Sequence, residues 1–119
     1  MGYSHCSSCR SWSACPVNAF TLCKSEAVTV TEGAGLVGTF NLTPNSYRKW
    51  CKKCGGDLFT EHPGMGMTDV YAATLPGLSF HPAFHVHYAE SVLPLHDGLP
   101  QFRDMQARVV AAGFRWPSR

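Results

Sequence analysis

The chain has 119 residues, 45% of them hydrophobic, 12% aromatic and 15% charged, and a net charge of +2 with histidines neutral. That length suits one domain, the low charge content excludes long disordered tails, and ten scattered Lys and Arg residues are too few for a nucleic-acid footprint. No run approaches the ~18 to 20 apolar residues of a membrane span and the first ten residues lack a signal-peptide core, so a cytoplasmic protein with no membrane partner is expected.

After a cysteine-rich opening, residues 17–22 form a short apolar run, and residues 27–31 alternate branched and smaller side chains as a half-buried strand does. Residues 32–35 read as a turn. Residues 36–42, 47–50 and 57–60 are β candidates, the last two flanking a cysteine pair. Pro63, Gly64 and Gly66 make residues 62–67 a loop. Residues 70–75 and 85–89 resume β propensity across a loop holding Pro76, Gly77 and Pro82. Helical spacing occurs over residues 101–112, with Met105, Val109 and Ala112 on one face and Gly113 as a stop. The expectation is a mainly β single domain over residues 1–119 with a short C-terminal helix.

Six cysteines in a reducing compartment point to metal or thiol chemistry rather than disulfides. In Cys51-Lys52-Lys53-Cys54-Gly55-Gly56, two thiolates three residues apart can chelate one Zn²⁺ while the glycines supply positive φ angles for a tight hairpin tip. Arg48, Lys49, Lys52 and Lys53 read as a solvated rim around that loop. A thioredoxin-like role for this pair is disfavoured, since that chemistry sits at a helix N-terminus in a βαβ unit.

Ser4-His5-Cys6-Ser7-Ser8-Cys9-Arg10 repeats the chelating spacing at Cys6 and Cys9. The 41 residues between Cys9 and Cys51 exceed the roughly 15 to 20 of a zinc ribbon, so one shared metal and one metal per pair both stay open. With a metal at each pair, further ligands must come from Cys15, Cys23, a histidine, water or another segment. His5 reads as solvent-facing or hydrogen-bonded, because consecutive residues point apart. His85 and His87 alternate on an expected strand and so share a face, which suits a metal or a carboxylate, with ordinary packing as the default. Cys15 and Cys23 read as small apolar core groups, and Arg10 as a surface arginine or a clamp for a substrate carboxylate.

The runs from His5 to Ser13 and from Trp50 to Leu58, residues 70–75, His85, and Asp97-Gly98-Leu99-Pro100-Gln101-Phe102 together resemble the glutathione-dependent formaldehyde-activating family, which includes the centromere protein V group. The resemblance implies a β-tent of packed antiparallel sheets with zinc-binding knuckles. It also implies carbon-sulfur lyase activity, joining the glutathione thiol reversibly to formaldehyde as S-hydroxymethylglutathione. By resemblance Cys6 and Cys9 fall on the catalytic zinc motif, Cys51 and Cys54 fall on half of a structural zinc site, and Arg10 is a candidate for binding the thiol substrate. Ser4 stands where the family motif has its first cysteine, and the family's N-terminal Cys-x-Cys hairpin does not occur in this sequence, so the expectation is either a truncated start or a member that dispenses with it. An unpaired edge strand would then favour a homodimer. The competing expectations are a non-catalytic zinc scaffold that binds a protein and a thiol oxidoreductase acting through Cys6 and Cys9.

Overall fold

The computed structural model describes residues 1–104, the side chain of Leu42 aside. From residue 105 onwards the expected helix over residues 101–112 lies outside them. Its described beginning is not helical: Gln101 bridges to His85, and the Phe102 amide donates to the His85 carbonyl at 2.8 Å. The described chain is mainly β, with seven strands and one short helix, and it divides into two compact units.

The first unit comprises residues 1–20 together with the chain from residue 76. It holds β1 (Gly2–Ser4), α1 (Ser7–Ser13), the start of β2 (Asn18–Lys24) and β7 (His85–Val86). The central strand is β1. It pairs antiparallel with β2 through Gly2↔Phe20 and Ser4↔Asn18, and parallel with β7 through Tyr3↔His85 and Ser4↔Val86. A parallel pair needs a long connection between its strands, and here most of the chain supplies it. The expected all-antiparallel arrangement therefore does not hold at β7.

Among the described residues Phe20, Phe84 and Val86 are the buried apolar side chains of this unit, with Phe84 edge-on to Phe20 at 6.2 Å and to Phe102 at 6.1 Å. Gly2 lets β1 lie on that cluster, since a Cβ there would come within 3.0 Å of the Phe84 ring. The helix α1 buries no residue and ends where Ala14 turns left-handed, at φ 60°. Its sequence carries no apolar stripe, so tertiary contacts at its start must hold it.

The second unit, Thr21–Leu75, holds the rest of β2 and the strands β3 (Val37–Thr43), β4 (Ser46–Cys51), β5 (Asp57–His62) and β6 (Met67–Tyr71). These four form an antiparallel meander, with β2 beside β6. Alternation along β6 buries Thr68 and Val70, and Leu22 and Cys23 of β2 are buried in the same unit. The strand expected over residues 27–31 does not form, because alternation needs a partner ladder as well as a buried face. Residues 72–74 likewise leave β6 as a 3-10 turn.

In β3, Gly38 faces Trp50 of β4, and a Cβ at Gly38 would lie 2.5 Å from the indole ring. Gly38→Ala is expected to cost about 1–3 kcal/mol through overpacking. Gly35→Ala, where a Cβ meets nothing within 4 Å, is expected to leave the thermal midpoint unchanged. Equal melting temperatures for the two variants would contradict this packing.

Candidate active site around Cys6 and Cys9

Cys6 lies at the junction where β1 gives way to α1, a turn missed from the sequence because nothing local announces it. Its carbonyl accepts the first helical bond from the Arg10 amide at 2.9 Å, and Cys9 follows one turn later on the same side. Both thiols are half-buried and in mutual contact. The Cys6 thiol is lowered from its ordinary 9.0 to about 5, chiefly by the hydrogen bond from the Cys9 side chain. The amides of Cys9 and Ser8 and the nearby His87 act in the same sense, and burial opposes them. Near neutral pH Cys6 is a thiolate, the form that attacks carbonyls and binds metals. The Ser4 hydroxyl is buried and accepts from the Cys6 amide at 3.4 Å.

Three residues assembled from distant positions lie behind this peptide. His5 Nε2 and His85 Nδ1 are 2.8 Å apart, and His85 Nε2 is 2.9 Å from Asp97 Oδ2. Both rings are fully buried; His85 stacks on Tyr3, and Tyr88 meets both rings edge-on. His85 and the Leu99 amide hold the Asp97 carboxyl below its ordinary value. Burial, with His85 and Arg10 nearby, lowers His5. Among the described residues His5 Nδ1 is buried with no hydrogen-bond partner, a loss worth about 1–3 kcal/mol.

His5 is thus hydrogen-bonded and not solvent-facing. His87 does not share a strand face with His85: β7 stops at Val86, and His87 adopts φ 52°. That left-handed residue redirects the chain so that the following turn, Tyr88–Glu90, reaches α1. Glu90 Oε1 accepts from the Ser7 amide at 3.0 Å and its hydroxyl at 2.7 Å, giving α1 the anionic cap its own first turn lacks. These bonds lower the Glu90 carboxyl, and Glu90 Oε2 lies 3.4 Å from His87 Nδ1. Arg10 is half-buried, and its guanidinium donates to the His5 carbonyl at 3.2 Å and the Glu90 carbonyl at 2.9 Å. It is therefore a brace within the unit rather than a free surface arginine.

The second cysteine pair closes the β4–β5 turn in the other unit. The Cys51 amide donates to Gly56 O at 2.8 Å and the Gly55 amide to Cys51 O at 2.7 Å, with Gly55 at φ 80°. Cys54, Lys52 and Lys53 are exposed, as expected for a hairpin tip. Amides of Cys54 and Lys53, with the Cys54 thiol, lower the Cys51 thiol. Cys23 is buried as expected, whereas Cys15 is exposed and not a core group.

The donor chemistry of Cys6 and Cys9 suits Zn²⁺ as a two-thiolate chelate. Among the described residues no group of three or more His, Cys, Asp or Glu side chains is arranged to hold a metal ion. The pair is therefore not by itself the three-ligand set of a self-contained catalytic zinc.

The family model for the glutathione-dependent formaldehyde-activating enzyme matches residues 1–90. The chain belongs to this family. Membership associates it with glutathione-dependent activation of formaldehyde and with glutathione as its small thiol partner. A comparison with curated proteins finds no match. No helix among the described residues is long and apolar enough to cross a membrane.

Residues 1–90 include Cys6, Cys9, His5, His85 and Glu90, whereas Asp97 falls beyond them. Glu90 was missed from the sequence, where its one signal was a lone acid after a histidine-rich stretch. The shift at Cys6 makes a direct statement about pH. Because the folded value lies below the unfolded one, the thiolate's stabilisation is fully present above about 9 and is lost as pH falls through about 5. Alkylation of Cys6, followed by peptide mapping, is expected to show a midpoint near 5, and Cys9→Ala should move it towards 9.0. A midpoint unmoved by Cys9→Ala would contradict the thiol pair.

Proposed function

We propose that the chain is a carbon-sulfur lyase that makes and breaks S-hydroxymethylglutathione at Cys6 and Cys9, with zinc held by these two thiolates. The supporting observation is the mutual contact of the two thiols at the start of α1, with Cys6 held as a thiolate. Zinc bound there would act as a Lewis acid towards an aldehyde oxygen and would lower the pKa of an incoming thiol.

The chain's own residues do the rest. Glu90 and Arg10 fix the start of α1, so both sulfurs stay on one side of a rigid turn. His87 supplies positive potential beside Cys6, favouring anionic sulfur. Breaking the adduct passes the hydroxyl proton to solvent water, forms the C=O bond and leaves the C–S electron pair on the glutathione sulfur, so a site that favours thiolate favours the leaving group.

A second reading, a non-catalytic scaffold that binds a protein, draws on the lack of a third donor beside Cys6 and Cys9 among the described residues and on the buried Ser4 hydroxyl in the motif's first position. Exchange of ¹³C-formaldehyde with glutathione, followed by NMR, separates the two. The lyase reading expects acceleration over the spontaneous rate, about 100-fold or more of it lost in Cys6→Ala, together with zinc that copurifies and departs with Cys6. An unaccelerated exchange in zinc-loaded protein would sink the lyase reading and leave the scaffold.

A further inference from the structure

The chain Asp97–His85–His5 runs from a partly exposed carboxylate to two fully buried rings, and its proton order follows from its outer end. An ionised carboxylate only accepts, so His85 Nε2 carries the proton. In neutral His85 the Nδ1 atom is then a lone pair, and His5 Nε2–H must donate to it. His5 Nδ1 is left as an unprotonated acceptor, the buried atom that has no partner among the described residues. A cluster serving stability alone would close that end or be apolar, since a half-satisfied polar chain is worse than a packed one.

The position of His5 gives the arrangement a purpose. His5 lies between Ser4 and Cys6, its amide donates to the Val86 carbonyl at 3.1 Å, and its carbonyl accepts from Arg10 Nε. The ring is the third anchor of the peptide that delivers Cys6. We propose that Asp97 is a positioning residue for Cys6, its carboxylate selecting the tautomers of His85 and His5 so that the His5 ring holds residues 4–6 in place. This rests on the reading that Cys6 is the reacting thiol, and it adds a residue outside the matched span.

Asp97→Asn is the discriminating variant. Asp97 Oδ1 accepts from the Leu99 amide at 3.1 Å while Oδ2 faces His85, and an amide cannot offer oxygen to both. If its NH₂ faces His85, that ring must become the Nδ1–H tautomer and force a proton onto His5 Nδ1, where nothing accepts it. Long-range ¹H–¹⁵N NMR of the imidazoles is expected to show Nε2–H on both rings in the wild type and altered rings in Asp97→Asn. Alkylation of Cys6 by iodoacetamide in the EDTA-treated full chain should slow about tenfold, the usual scale for an outer-shell partner, and Asp97→Glu should restore both.

A doubly protonated His85 in the wild type, rings unchanged in Asp97→Asn, or a switched tautomer with Cys6 alkylated at the wild-type rate would each overturn the proposal. Should Asp97→Asn fail to fold, Asp97→Ser carries the same comparison, and the wild-type rings decide the tautomer order alone. Neither readout uses glutathione or formaldehyde. A chain without lyase activity therefore leaves this test standing, and a failed tautomer test leaves the lyase assay standing.

Discussion

The parallel pairing of β1 with β7 is the constraint on which the candidate site depends. Only two register pairs define it, Tyr3↔His85 and Ser4↔Val86, yet they bring together residues about eighty positions apart. The His5 amide reaches Val86 O, and the His5 ring meets His85 at 2.8 Å. With β7 in place, the left-handed turn at His87 carries Glu90 to the first residue of α1. A non-glycine residue in that conformation costs roughly 1–2 kcal/mol. The Ser7–Glu90 and Arg10–Glu90 bonds, made only because the chain turns there, offset it.

Around this frame the charges alternate. The Cys6 thiolate and the Glu90 carboxylate are both anions near the start of α1, with His87 close to each. The half-buried Cys6 thiol is pulled down chiefly by the hydrogen bond from Cys9, although burial alone would push it up, and His87 adds to that in the same sense. The Cys51–Cys54 turn lowers its thiol in a similar way, through amides and a thiol within its own few residues. At Cys6 one distant residue, His87, adds to the local groups.

That difference tracks what could be read in advance. The hairpin tip at Cys51–Cys54, its flanking strands and the loop at Pro63 were legible because each depends on neighbours a few positions away: glycine at positive φ, proline without a donor, thiols at chelating spacing. The pairing of Cys6 with Cys9 was legible for the same reason, and so was the resemblance to the family that the matched model bears out. Residues 27–31 and His87 were misread because their alternation looked like a strand, while a strand exists only where a partner receives its amides.

By itself, then, the sequence determined the mainly β character, both cysteine pairs and the family, all carried by short-range pattern. The tertiary structure alone decided that His5 is buried against His85, that Asp97 bonds the far side of the His85 ring, that Glu90 caps α1 and that Arg10 braces the Cys6 peptide. Those contacts join residues separated by up to 83 positions, save the His85–Asp97 and Arg10–His5 bonds, which span 12 and 5 positions. A hydrogen bond has no signature in the local order of side chains until the backbone that aims it is in place.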